Sequence, residues 1–267
     1  MTESYQNRFG GIARIYGIEQ QKLLNNAHFC VVGIGGVGSW VAESLARTGL
    51  GNITLIDLDD ICVTNVNRQI HALTSTIGEA KVDAMASRIN EINPDCNVSV
   101  IDDFLTLENI REHIEQFDYV IDCIDQVKVK AALIAHCKRN KLPIITIGGA
   151  GGQIDPSQIR IGDVAKTKQD PLLAKVRYLL RKQYNFSSNP KRKFGVDCIY
   201  SEEQLVYPSS DGSVCHAKAG ADGNMNMDCQ TGFGSLTMVT GSFAFFAAAK
   251  SVKKYLEKCE RNTNPHK

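Results

Sequence analysis

The chain has 267 residues, enough to bury one large hydrophobic core or a core with a sizeable extension. Thirty basic residues against 29 acidic ones leave a net charge of +1, so no global field selects nucleic acid or membrane and any such partner must be met by a local patch. Nine cysteines are an odd number, and several stand inside apolar runs (FCVVG, IDCID, IAHCK), which argues against a disulfide framework and for reduced, buried thiols in the cytoplasm.

The opening residues, MTESYQNRFGG, hold no apolar run of the signal-peptide kind. Residues 31–60 then read VVGIGGVGSWVAESLARTGLGNITLIDLDD: a buried strand, a glycine loop, a helix and a second strand ending in acid. Gly33, Gly35 and Gly38 match the G-x-G-x-x-G spacing, with Gly36 inside it. Gly33 permits the tight turn off the strand, Gly35 lets backbone N–H groups approach phosphate, and Gly38 lets the helix pack close to the sheet. The helix N-terminus points its partial positive charge at an anion. Asp57 lies 19 positions past Gly38, where a carboxylate can accept hydrogen bonds from ribose hydroxyls, and Asp59 counts with it as nucleotide-binding.

The next loop, DLDDICVTNVNRQIHALTSTIGEAK, sets out Asn65, Arg68, Gln69 and Lys81, the polar groups best suited to a triphosphate. Arginine offers a planar, permanently charged fork and lysine a compact point charge. A hydride-transferring dehydrogenase has no need of these cations beside its ribose-binding acid. An enzyme that lets a carboxylate attack the α-phosphorus of ATP does need them, because negative charge builds on the transferring phosphorus and on the leaving pyrophosphate. Standing alone, Arg68 or Lys81 would read as a solvated surface charge.

A helix is predicted from Gly78 to Ile92, closed by Asn93-Pro94, then a strand at CNVSVI (96–101). DYVIDCID (118–125) is another apolar strand ending in acid, followed by a helix from Val127 to Arg139 and the strand IITIGG (144–149). This alternation predicts the α/β class, with a doubly wound, mostly parallel, Rossmann-like sheet whose ligands sit beyond the C-terminal strand ends. Gly33, Asp57 and Asp125 all fall at such ends, so one crevice can collect them. There Asp125 can hold a magnesium ion, which prefers a carboxylate plus phosphate oxygens. It can equally cap the helix that starts near Val127.

From Gly148 the texture changes, and the chain reads as antiparallel strands and loops built onto the same core: one domain, with a nucleotide-binding part at about 20–150 and a substrate-facing extension at about 151–267. The glycine run GGAGG (148–152) can shape the pocket floor or coordinate a monovalent cation through its carbonyls. Segment 166–193 carries nine Lys or Arg and one Asp, a local charge of +8 that leaves −7 for the rest of the chain. Such polarity suits an RNA backbone, with Lys175, Arg177, Arg181, Lys182, Lys191, Arg192 and Lys193 as contacts and Tyr178, Tyr184 and Phe186 placed to stack on exposed bases. Against this, Leu172, Leu173, Val176, Leu179 and Leu180 form a helical apolar stripe that would leave the cations as its solvated face. Residues 229–249 carry no charge and approach the length of a membrane span, yet their Gly, Ser and Thr content suits a buried C-terminal helix at least as well. Cys229, just before that helix, reads as packing rather than catalysis.

Taken together, VVGIGGVGSW, LIDLDD, TNVNRQIH, the isolated Lys81 and DCIDQ resemble the ubiquitin-activating-enzyme-like adenylyltransferases, whose bacterial members activate sulfur-carrier proteins for molybdopterin and thiamine synthesis. The resemblance implies ribose contact for Asp57, phosphate contacts for Asn65, Arg68, Gln69 and Lys81, and magnesium at Asp125. It also implies that Arg8, in NRFGG, crosses a homodimer interface as an arginine finger. Sulfur-carrier enzymes of this kind typically hold a structural zinc between two C-x-x-C pairs, and no two of these cysteines have that spacing. Instead GGAGGQIDPSQI, GDVAKTKQDP, GVDCIYSEE and VYP extend a resemblance along the whole chain to the tRNA-modifying branch of the family. That branch implies ATP-dependent cyclisation of a threonylcarbamoyl group on the adenosine beside the anticodon, and association with a cysteine desulfurase and its sulfur-acceptor protein. Sulfur-carrier adenylyltransfer, a nucleotide-binding module without turnover and an NAD-dependent oxidoreductase are the competing readings.

Overall fold

Two helices that the sequence pattern leaves unpredicted open the chain in the computed structural model, which describes residues 1–209, 211–216 and 233–263. Helix α1 (Glu3–Tyr16) is capped by the Thr2 hydroxyl, which accepts from the Tyr5 N–H, and it buries Tyr5 and Phe9. Gly17, with φ at +95°, breaks it from α2 (Ile18–Asn26). The Tyr5 hydroxyl then donates to the Gly49 carbonyl, tying this N-terminal pair to the rest of the chain.

The core alternates as its apolar runs dictate: β1 (His28–Val32), α3 (Gly38–Arg47), β2 (Asn52–Ile56), α4 (Lys81–Ile92), β3 (Asn97–Ile101), the short α5 (Ile110–His113), β4 (Tyr119–Asp122), α6 (Val127–Arg139) and β5 (Ile144–Ile147). The extension adds β6 (Ile159–Asp163), α7 (Pro171–Gln183), β7 (Asp197–Ser201), the hairpin strands β8 (Tyr207–Pro208) and β9 (Val214–Cys215), and α8 (Thr237–Thr263). Seven strands make one sheet in the order β3-β2-β1-β4-β5-β7-β6, parallel throughout except that β6 runs antiparallel to β7. Val31 of β1 pairs with Leu55 on one side and Ile121 on the other, which puts the topological switch, and so the crevice, at the C-terminal end of β1 and β4.

Several predicted boundaries shift for local reasons. The helix predicted from Gly78 begins at Lys81, because Gly78 (φ +89°) donates to the Ile61 carbonyl and Asp60 forms a bridge with Ala80. The strand predicted to reach Asp125 stops at Asp122, whose carboxylate turns back to accept from the Ile124 N–H. Of the extension's main-sheet strands only β6 is antiparallel; β7 adds in parallel to β5.

Both faces of the sheet are covered. Phe243, Ala244, Ala247, Ala248, Val252, Tyr255 and Leu256 of α8 pack with α3 on one face, and the Leu173, Val176 and Leu180 stripe of α7 packs with α6 on the other. Full burial of a side chain such as Phe243 stabilises the fold by about 2–3 kcal/mol, which explains why this face of α8 turns inward, whereas Met238, Phe245 and Phe246 of the same helix are exposed. Among the described residues no helix is long and apolar enough to cross a membrane. Residues 229–232 of the uncharged stretch, Cys229 among them, lie outside the described residues.

Candidate active site

The three motif glycines hold three different positions. Gly33 sits at φ +88°, and a Cβ there would meet the Cys123 carbonyl at 3.2 Å. A Cβ on Gly38 would lie 1.8 Å from the Gly33 oxygen, so the start of α3 approaches the loop backbone more closely than any side chain allows. A Cβ on Gly35 would meet nothing within 4 Å, which leaves its backbone facing open space. Arg68 lies across Gly36, its Cγ and Cδ 3.3 Å from where a Cβ would stand. Val37, at the cap position of α3, supplies no side-chain acceptor for the helix N-terminus.

The acids and cations border this loop. Asp57 accepts from the Ile34 N–H at 2.6 Å and from the Asp59 N–H at 2.9 Å, which locks the glycine loop to the end of β2. Burial pushes its carboxyl above the usual range, opposed by the Asp59 N–H and then by Lys81. The buried Lys81 ammonium donates to Asp59 at 2.6 Å. The Arg68 guanidinium donates to the Thr64 carbonyl at 2.8 Å and to Asn67 at 3.0 Å, and its own carbonyl accepts from the Trp40 indole. Asn65 is more deeply built in than its sequence reading implies: its amide oxygen accepts from the Cys62 N–H and shapes the 3-10 turn Val63–Asn65. Gln69 is buried with its amide oxygen unpartnered.

Asp125 stands exposed at the end of β4 and makes no hydrogen bond or ion pair with the described residues. The capping alternative fails, since Gln126 occupies the cap position of α6 and no side chain bonds there. Beneath Asp125 lies a feature absent from the sequence reading. Asp122 and Lys130 form an ion pair at 2.9 Å with both side chains fully buried. The Thr146 hydroxyl donates to the same carboxylate at 2.6 Å and the Ile124 N–H at 3.1 Å. Asp122 closes β4 and Lys130 lies on α6, so they meet only once helix and strand pack together and no local signal marks them.

His71, the last residue of the run TNVNRQIH, is also part of the loop's support. Its Nε2 bonds to the Ile34 carbonyl at 3.0 Å while Nδ1 has no partner. Burial, with help from Lys81 and Arg88, pushes its pKa down to about 4. An unfolded histidine titrates near 6.5, so the unfolded chain binds the proton more readily and stability falls as pH drops from about 6.5 towards 4, by roughly 3 kcal/mol in all. Replacing His71 with Gln should flatten this part of the stability profile in urea unfolding measured at pH 7 and pH 4.5. An unchanged slope would remove His71 as its source.

Arg8 does not reach this crevice within its own chain. It is exposed on α1 and donates to the Ile92 carbonyl at the C-terminal end of α4, whereas Lys81 marks the other end of that helix, about 17 Å away. The basic segment is also only partly available. Arg177 donates to the Val164 carbonyl and, at 2.6 Å, to the Thr167 hydroxyl, and Arg181 donates to the Ser187 carbonyl and covers the Phe194 ring. Phe186 packs edge-on against Phe194, and Tyr184 lies against the second core cluster beneath Arg139, so the prediction that both stack on bases is corrected; Tyr178 alone of the three is exposed. Lys175, Lys182, Lys191, Arg192 and Lys193 face solvent.

The glycine run is structural where it meets α7. Asp170 caps that helix through the Leu173 N–H and accepts from the Gly149 N–H, and a Cβ on Gly148 would strike its carboxylate at 1.9 Å. The Gly149 carbonyl accepts from Gln153 and the Gly152 carbonyl from the Val206 N–H.

Comparison with known proteins adds three findings. The model described as the ThiF family matches residues 7–266. The tRNA threonylcarbamoyladenosine dehydratase of Escherichia coli (strain K12) is 56% identical over 262 residues, covering 98% of each chain. Crystal structures of the E. coli tRNA N6-threonylcarbamoyladenosine dehydratase in complex with ATP and with AMP each superpose with a TM-score of 0.87 at 52% identity, covering 97% of this chain and 98% of theirs.

Proposed function

Because the chain belongs to the ThiF family, we propose that it dehydrates threonylcarbamoyladenosine in tRNA at the expense of ATP. The observation that carries this reading is the crevice itself: an open glycine loop under Arg68, an Asp57 that accepts from the loop's Ile34 N–H and a carboxylate without protein partners among the described residues, at the switch point of one sheet. The modification's carboxylate attacks the α-phosphorus of ATP, forming an acyl–phosphate bond as pyrophosphate leaves. The neighbouring carbamoyl group then closes on the activated carbonyl and expels AMP, for a net loss of one water. Ring closure is intramolecular and needs no external nucleophile, so no catalytic cysteine is required.

Within this reading Gly35 and the start of α3 receive the phosphates, Asp57 orients the ribose, and Arg68 and Lys81 offset charge as it develops. Asn65 and Gln69 complete the phosphate side. Magnesium fits the site, because Asp59 is engaged with Lys81 while Asp125 offers a hard oxygen ligand with no competing partner among the described residues. When bound, it supplies charge neutralisation on the phosphate oxygens. Arg8, which meets the C-terminal end of α4 in its own chain, acts in this reading on the crevice of a second copy, the homodimer that the family resemblance implies. Association with a cysteine desulfurase and its sulfur-acceptor protein rests on the family resemblance alone, as does a cytoplasmic location for a tRNA-directed enzyme. A monovalent cation at GGAGG would have to draw on carbonyls other than those of Gly149 and Gly152.

The test is to incubate the protein with ATP, magnesium and tRNA bearing the linear modification, and to follow AMP together with the nucleosides by mass spectrometry. Expected is AMP formation matched by loss of one water from the modified adenosine. AMP formation driven only by a small protein with a Gly-Gly terminus would transfer the chain to the sulfur-carrier reading, and absence of ATP consumption would leave a binding module. Neutralising Lys191, Arg192 and Lys193 together should weaken tRNA binding, most at low salt. Unchanged affinity in that variant would take the segment out of the reading.

A further inference from the structure

The helices α6, α7 and α8 all end at the edge of the sheet opposite the crevice. There the last turn of α6, Gly195, Asp197 at the start of β7 and the last turns of α8 line a cavity of about 340 Å³. Five cations line it, Lys138, Lys141, Lys254, Lys258 and Arg261, against the single carboxylate of Asp197. Three of the five have partners: Lys138 donates to the Gly195 carbonyl at 3.2 Å, Arg261 to the Glu257 carbonyl at 3.1 Å, and Lys254 lies 3.3 Å from Asp197, which Lys250 also approaches. Lys141 and the half-buried Lys258 have no hydrogen bond or ion pair with the described residues. Cations at helix C-termini offset the macrodipole, but that effect falls off within the last turn and gives no reason to hold two unpartnered ammonium groups around a common hollow.

Helix α7 connects the two ends of the sheet. Its start is tied to Gly149 at the crevice end of β5, and its end lies beside Phe194 and Gly195 at the opposite edge, about 20 Å along the axis. Lys175, Tyr178 and Lys182 are exposed along it, and the exposed Lys191, Arg192 and Lys193 follow it in the chain just before Gly195, which lines the cavity. We propose that this cavity binds the phosphodiester backbone of the tRNA outside the anticodon loop, so that the RNA runs from the crevice along α7 to a second, sequence-independent anchor. The inference rests on the tRNA reading above. An extended polyanion suits the arrangement better than a small free anion, since the cationic surface continues beyond the cavity.

The test compares the full-length modified tRNA with its isolated anticodon stem-loop, using wild type and the variants K141E/K258E and K141Q/K258Q; neither lysine carries an ion pair among the described residues, and thermal melting checks the fold. The K141E/K258E variant is expected to bind full-length tRNA at least about tenfold more weakly at low salt, and to lower the slope of log affinity against log salt by about 2. Stem-loop affinity and AMP formation on the stem-loop should match wild type, and K141Q/K258Q should show a smaller loss on full-length tRNA alone. Equal affinity of wild type and variants for full-length tRNA would overturn the anchor while leaving the activity intact, as would an equal loss on both RNAs. A loss of inorganic phosphate binding without any change in tRNA affinity would reassign the cavity to a small anion. If wild type neither binds nor turns over either RNA, the activity reading falls and the anchor with it.

Discussion

Asp125→Ala should reduce AMP formation by roughly 10²–10³-fold or more, the range seen when one preorganised electrostatic group is removed from a transition state, and should leave the protein folded. The two halves of this expectation have different causes. Asp125 is exposed and bonds to no described residue, so its removal changes no packing and should alter stability by no more than about 0.5 kcal/mol. Its value is functional: a carboxylate held at the end of β4, beside the glycine loop, is where a hard cation on the triphosphate would be met. Asp125→Asn keeps the shape but not the charge, and is expected to raise the magnesium concentration that gives half-maximal rate. AMP quantified by chromatography, with thermal unfolding in parallel, decides the matter. Wild-type turnover at ordinary magnesium in the alanine variant would remove Asp125 from the mechanism.

Lys130→Met is expected to show the opposite pattern, a large loss of stability. Asp122 and Lys130 are fully buried and 2.9 Å apart, so methionine would leave a carboxylate inside the core with only the Thr146 hydroxyl and the Ile124 N–H for company. Breaking a buried pair from one side costs about 3–5 kcal/mol, because the surviving charge is uncompensated. The double variant D122N/K130M should recover much of this loss, and the coupling energy from the cycle in urea unfolding measures the pair itself. Additivity of the two single changes would mean that the pair contributes shape alone. Asp122 also holds the N–H of Ile124, next to Asp125. Folded Lys130→Met protein is therefore expected to need more magnesium for half-maximal AMP formation, which simple destabilisation would not produce.

The strand and helix alternation, the glycine loop and the acids at or just past strand ends are legible along the chain. Each depends on a period or a spacing within about thirty residues, and backbone sterics convert such spacings into geometry wherever they occur. Gly38 illustrates this, since its lack of a Cβ is needed by contact with Gly33 only five positions away. The charge of segment 166–193 was equally plain, but not which of its members remain available. Arg177 and Arg181 are engaged with backbone carbonyls, and Phe186 is packed on Phe194, through contacts that form only once α7 lies on α6.

Long-range packing settles what meets across the sheet. It placed Arg8 beside the C-terminal end of α4, away from the crevice of its own chain, joined Lys130 to Asp122 beneath the Asp125 loop, and turned one face of the uncharged stretch of α8 inward against α3 while Met238, Phe245 and Phe246 stay exposed. It also gathered lysines from α6 and α8, more than a hundred positions apart, around one hollow. The physical reason is common to all four. Burial and pairing are properties of residues brought together through the fold, and no spacing along the chain encodes which side chains a folded sheet will set face to face.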